Sequence, residues 1–142
     1  MQKTLFLSLI ILVSANVVHA QSKDETIIRT ILAEQTVAWN DGNQEAFMKG
    51  YWQNDSLMFI GKSGITYGWQ KTLDNYKKNY PDTASMGKLN FDLLSVKPVA
   101  ENYFFVAGKW HLARSIGDVG GVFTLLFRKV KNRWVIIADH SS

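Results

Sequence analysis

Two apolar runs near the C-terminal end, GGVFTLLFRKV from Gly120 and WVIIADHSS from Trp134, are separated by the polar break Lys131-Asn132-Arg133. Apolar, β-branched and aromatic runs on either side of a short polar turn make an antiparallel hairpin. Neither run alternates with polar residues. In the first, Phe123, Leu125 and Phe127 point one way and Val122, Thr124 and Leu126 the other; in the second, Val135 and Ile137 oppose Trp134, Ile136 and Ala138. A strand with one face in water carries a polar residue at every second position, so this hairpin is predicted to be covered on both faces. The second run then ends in Asp139-His140-Ser141-Ser142, a polar cluster directly after an apolar segment.

The opposite end of the chain has a different character. Lys3 precedes an apolar stretch from Leu5 to Val13 that only Ser8 interrupts, and Val18-His19-Ala20 then leads to Gln21. That order reads as a cleavable secretory signal over residues 1–20. Its apolar core falls short of the roughly 20 residues that a membrane-spanning helix needs. The chain has no cysteine, which excludes both the lipid anchor of bacterial lipoproteins and any disulfide, although an exported protein would be permitted one. Residues 21–142 are therefore expected to form one periplasmic or secreted domain with a single core, off the membrane after cleavage. The formal net charge of +4 is scattered, and the Arg128 to Arg133 group brackets the hairpin turn. Without a basic stripe interleaved with exposed aromatics, nucleic acid is not an expected partner.

Helices open the domain. Ser22-Lys23-Asp24-Glu25 is a capping box, and Ile27, Ile28, Ile31, Leu32, Gln35, Ala38 and Trp39 follow helical spacing. Asn40-Asp41-Gly42-Asn43 stops this helix and starts a short second one, with Phe47, Met48, Tyr51 and Trp52 on one side. Ser56–Ile60 and Ile65–Tyr67 make a small hairpin around the turn Gly61–Gly64. A third helix, Trp69–Tyr80, carries Trp69, Leu73, Tyr76 and Tyr80 as one aromatic stripe. After Pro81-Asp82 only strands are predicted: Lys88–Lys97, a turn over Pro98–Asn102, Tyr103–Ser115, a loop over Ile116–Val119, and the closing hairpin. The fold class is α+β, a mostly antiparallel sheet curled into a cone around three N-terminal helices.

Several segments resemble one family. AWNDGNQEAFMKGYWQNDSLMFIG is similar to the helix–turn–helix–strand opening of nuclear transport factor 2-like domains, and GITYGWQKTLDNYKKNY, GKWHLAR, GGVFTLLFRKVKNRW and the terminal DHSS are similar to the rest. The resemblance covers nearly all of residues 21–142 and points to a secreted bacterial branch of unknown function. That branch is related to SnoaL-like polyketide cyclases and to the association domain of calcium/calmodulin-dependent kinase. It implies a deep pocket in the cone and a homodimer formed through the outer sheet face. Enzymatic members similar to ketosteroid isomerase use a carboxylate on the first strand as general base. Here that strand, Ser56–Ile60, has none, and Ile60 stands about where the base would be. An aliphatic carbon cannot hold the proton, so isomerisation by that route is not expected.

Laying the strands out with the shortest turns puts His111 and His140 on either side of Thr124 on one face. Trp110, Phe123, Leu125, Ile137 and Asp139 then share the other, and a one-residue slip would exchange the two. In this register Asp139 and His140 straddle the sheet and form no dyad. Asp139 can serve as a strand-end cap or as a ligand contact, and the histidines as structural or acid–base groups. Two histidines and one aspartate lack the further ligand that a metal site needs, and no serine-elbow motif is present. The expected function is binding of a small apolar or aromatic molecule. Trp39, Tyr76, Trp110 and Phe123 are its walls, Asp139, His140 and Arg114 its polar contacts, and no cofactor is involved. Two alternatives stand: a SnoaL-like isomerase, cyclase or hydrolase with an unfamiliar acid–base set, and a structural oligomerisation module.

Overall fold

The computed structural model describes residues 22–142, so the expected signal over residues 1–20 lies outside the described residues. Helix α1, Lys23–Asn40, begins where the Ser22 hydroxyl accepts the Glu25 N–H at 3.1 Å. Only this half of the expected capping box forms, because the Glu25 carboxylate reaches forward to Arg29 Nε (2.9 Å) instead of back to Ser22. Ile28, Leu32, Gln35, Ala38 and Trp39 are buried, as their spacing requires, while Ile27 lies at the rim of the stripe. Asn43 caps α2, Gln44–Phe47, which tightens into a 3₁₀ turn over Met48–Gly50. A small hairpin, β1 (Met58–Gly61) and β2 (Gly64–Tyr67), precedes α3, Trp69–Asn79.

A fourth helix, α4 (Thr83–Met86), stands where the sequence reading expected only strands. Its signal is a capping box of Asp82 and Ser85, in which each side chain accepts the other residue's backbone N–H. Strand β3 then runs from Lys88 to Ala100, through the expected turn, so Pro98 is a strand residue. Two register shifts, at Leu93/Ser95 and Pro98/Ala100, accommodate it, and β3 is the outer edge of the sheet, where a missing N–H costs no ladder bond.

The remaining strands are β4 (Tyr103–Ala113), β5 (Val119–Val130) and β6 (Arg133–Ser141). All six form one open sheet in the order β2-β1-β6-β5-β4-β3, antiparallel except where β1 joins β6. The helices lie against its concave side. Between them sits the core, in which Phe127, Ile136, Met48, Leu57, Ile28 and Leu32 are almost wholly enclosed.

The closing hairpin differs from strict alternation in two ways. Lys131 and Asn132 both take positive φ (47° and 61°), the backbone of a two-residue turn whose twist matches the flanking strands. A bulge follows: Phe127 pairs with Ile136 but Leu126 pairs with Ala138, leaving Ile137 unpaired. Ile137 therefore does not share the inner face with Asp139, as alternation alone had it. The pairing of β4 with β5 is also displaced. His111 lies opposite Gly120, and Thr124 opposite Ala107. The loop between these strands is wider than the shortest possible, because the Asp118 carboxylate accepts the Arg114 N–H (2.9 Å) and faces His111 Nε2 at 3.2 Å. Gly120 and Thr124 are an even number of residues apart, so His111 keeps the expected face but not the expected neighbour.

Helices cover the inner face of the hairpin. On the outer face, Tyr67, Met58, Ala138, Leu126 and Phe105 form one cross-strand row, and Val122, Ile65 and Tyr67 are each more than half exposed. Within one chain, no described element covers this side.

Candidate functional site

The cone holds a cavity of about 100 Å³, bounded by Trp39, Phe47, Tyr51, Phe59, Tyr76, Tyr80, Phe91, Trp110, Phe123 and several smaller residues. The helical stripes supply its roof. Trp39 meets Tyr76 edge-on at 5.7 Å and Tyr80 at 5.0 Å, and Tyr76 meets Phe47 at 5.4 Å and Phe59 at 5.7 Å. Trp39 is fixed further by its indole N–H, which donates to the Met86 carbonyl at 3.0 Å. The sheet supplies the floor. Leu125 pairs with Asp139 and Asp139 with Phe59, while Phe123 pairs with Ser141. Trp110 lies opposite Gly121, which has no side chain to separate it from its neighbours.

Asp139 is the polar centre of this cavity. It is 4% exposed and accepts hydrogen bonds from the Tyr51 hydroxyl and the Ser141 hydroxyl, each at 2.7 Å. Burial raises its pKa from the ordinary 3.8 to about 6, against the opposing effect of the two hydroxyl donors. Burial also pushes the Tyr51 and Tyr76 hydroxyls well above their usual range, and the neighbouring Asp139 charge pushes both further. The indole N–H of Trp110 is shut off from solvent and finds no acceptor among the described residues. Its nitrogen lies over Gly121, within 3.1 Å of where a Cβ on that residue would stand. Burying an amide-like donor in this way costs about 1–3 kcal/mol.

Five of the seven sequence-derived positions meet here: Trp39, Tyr76, Trp110, Phe123 and Asp139 all line the cavity. His140 does not. It pairs with Thr124 and Ile60 on the outer face and is exposed, because adjacent residues of a strand point to opposite sides. Arg114 does not reach the cavity either. Its Nε donates to the Gly117 carbonyl at 2.7 Å, which ties the side chain to its own loop. On β1, Phe59 faces the cavity and Ile60 faces out, and neither is a carboxylate.

Sequence reasoning missed Tyr51 and Ser141 as partners of Asp139. Ser141 was within reach, since residues two apart on a strand share a face. Tyr51 carried no such sign. It is brought to Asp139, 88 residues away in sequence, by the parallel contact of Tyr51 with Ile136 and of β1 with β6. Among the described residues, no group of three His, Cys, Asp or Glu side chains is placed to hold a metal ion. No helix among them is long and apolar enough to cross a membrane.

No protein-family model matches the chain, and no curated protein matches it. Solved structures do. An NTF-2-like protein of unknown function from Shewanella oneidensis is 44% identical over 84% of this chain and 98% of that one, with a TM-score of 0.80. A ketosteroid isomerase-like protein from Erwinia carotovora atroseptica is 14% identical over 85% of this chain and 96% of its own, with a TM-score of 0.66. A domain of unknown function with a cystatin-like fold from Nostoc punctiforme is 15% identical over 87% of this chain and 78% of its own, with a TM-score of 0.72. At such low identity the last two share the fold alone.

The geometry at Asp139 has a measurable consequence. Its carboxyl binds a proton more tightly in the folded state than in the unfolded state. The resulting stabilisation is complete below an unfolded pKa of about 4 and is lost as pH rises through about 6. At neutral pH and above, the ionised side chain costs roughly 3 kcal/mol relative to its neutral form. Asp139→Asn should therefore gain stability relative to the parent protein as pH rises from near 4 to near 8. Urea unfolding of both proteins across that range measures the difference, and a flat difference would contradict the assignment.

Proposed function

The chain belongs to the nuclear transport factor 2-like superfamily, and from that premise we propose that it is an exported small-molecule-binding domain whose ligand occupies the aromatic-lined cavity. The observation that carries this reading is the cavity itself: rigid apolar walls around a single buried polar centre, Asp139 with Tyr51 and Ser141. Few precisely placed polar groups within aromatic walls are what small-molecule sites use. The volume of about 100 Å³ bounds the ligand. An engineered apolar cavity of about 150 Å³ takes benzene, so the enclosed part of this ligand is a short branched chain or a small ring, with anything larger left at the mouth.

Export rests on the residues of the N-terminal segment, and places the mature domain in the periplasm or outside the cell. N-terminal sequencing of the processed protein should begin at Gln21; retention of the segment in the cell-soluble fraction would overturn export. For binding, a library of small apolar and aromatic fragments should raise the melting temperature of the protein. Trp110→Ala, which removes one wall, should abolish that rise while the protein still unfolds cooperatively. A library with no hit would sink the reading.

A second reading, isomerase-type or related acid–base catalysis, is favoured by one feature. Asp139 is a carboxyl among the cavity-lining residues whose pKa of about 6 lets it take up and release a proton near neutral pH. On that reading turnover is lost in Asp139→Asn, and a turnover indifferent to that change would remove Asp139 from the chemistry. A purely structural module, for which a filled cone would be expected, fits the cavity less well.

The outer face supports a homodimer. Val122, Ile65 and Tyr67 are 55–58% exposed, and Phe105 is 39% exposed on the same side. Contiguous apolar surface of this kind marks interaction sites. Sedimentation should show a dimer, and Leu126→Glu, which puts a charge between Phe105 and Ala138 in the apolar cross-strand row, should shift it to monomer. A monomeric parent protein would refute the dimer without affecting the cavity.

A further inference from the structure

We propose that the cavity selects a small organic ammonium ion, with the Asp139 carboxylate as its counter-charge and the surrounding aromatic rings as its walls. This rests on the reading of the cavity as a ligand site and adds the charge of the ligand to it. The cavity lining contains nine aromatic residues and one carboxylate, but no lysine, arginine or histidine. Buried carboxylates are normally paired with a cation or bound to a metal. Asp139 has neither among the described residues: both its hydrogen bonds come from neutral hydroxyls, and no ion pair includes it.

Among the described residues, no element packed around Asp139 brings a lysine, arginine or histidine into the cavity. Tyr51 and Tyr76 present hydroxyls from the helical side, and β1 and β5 present the uncharged Phe59 and Leu125. On β6 itself, Ser141 is neutral, and His140, whose charge favours the ionised carboxyl less than either hydroxyl does, stands on the opposite, solvent-exposed face. The carboxylate can accept about four hydrogen bonds, of which two are taken. A ligand ammonium would add a charge-assisted bond to the vacant positions. Aromatic rings attract cations through the negative charge on their faces. An anion would meet the Asp139 charge across the same cavity, with the Trp110 indole N–H as its one unpaired buried donor, and a neutral molecule of the same shape would leave the carboxylate without a counter-charge.

Three probes of one shape test this on the processed protein: isobutylamine, isobutanol and isobutyrate, titrated by NMR. Near pH 8, isobutylamine should bind about tenfold tighter than isobutanol or better, and isobutyrate should not bind. The amine stays protonated near pH 5 whereas Asp139 does not stay ionised, so the preference should fall toward unity there. Asp139→Asn should remove it at both pH values, and if that variant fails to fold the pH comparison on the parent protein still decides. Isobutanol binding as well as isobutylamine near pH 8 would overturn the inference, as would a preference that survives Asp139→Asn. If apolar fragments bind but none of these probes shows a charge preference, this inference alone fails. If neither the fragments nor the probes bind, the ligand-site reading fails with it.

Discussion

One extra residue in the last strand decides which side of the sheet the site's carboxylate faces. Trp134 and Ile136 must point inward: Trp134 packs edge-on against Phe104 at 5.3 Å, and Ile136 is fully enclosed. Strict alternation from Ile136 would then carry Asp139 to the outer face. The bulge at Ile137 absorbs one residue and turns Asp139 and Ser141 inward. The core at one end of β6 and the cavity at the other are both built from one strand only because of this irregularity. A strand without the bulge would sacrifice either the packing of Trp134 or the polar centre of the cone.

Much of the fold was legible because it follows from local periodicity. The stripe on α1 and the aromatic stripe on α3 are spaced so that one side of each helix must be buried, and their burial follows. The two-sided apolarity of β5 required cover on both faces, and the inner cover is the helical layer. What escaped was set by contacts distant in sequence. Sequence alone suggests a turn over Pro98–Asn102, but Pro98 sits on an edge strand where its missing donor is harmless. The register of β4 on β5 depended on Asp118 clamping a wide loop, which spacing alone does not reveal. In the site, the aromatic walls were readable from the stripes. Alternation along β6 already put His140 and Asp139 on opposite faces, but which of the two faced the cavity, and where Arg114 turned, depended on the bulge and on the Arg114 loop.

The electrostatic character of the cavity follows from the same arrangement. Placing a carboxylate in an aromatic interior works against stability, and the Tyr51 and Ser141 hydroxyls offset only part of that opposition. Buried carboxyls shifted in this way cluster at functional sites. The orphaned indole N–H of Trp110 at another edge of the cavity is a second local sacrifice of the same kind. Both line the cavity in the cone.

The hydrogen bond between Tyr51 and Asp139 joins positions 88 residues apart, and β1 finds its parallel partner only in the last strand of the chain. During vectorial synthesis the helices and the first hairpin leave the ribosome long before β6 exists. Until then half of the pocket has no floor, and β1 has no inner neighbour. Contacts of such long sequence separation carry a large loop-closure penalty and form late. Closure of the cone and assembly of its polar centre therefore wait on the same strand, β6.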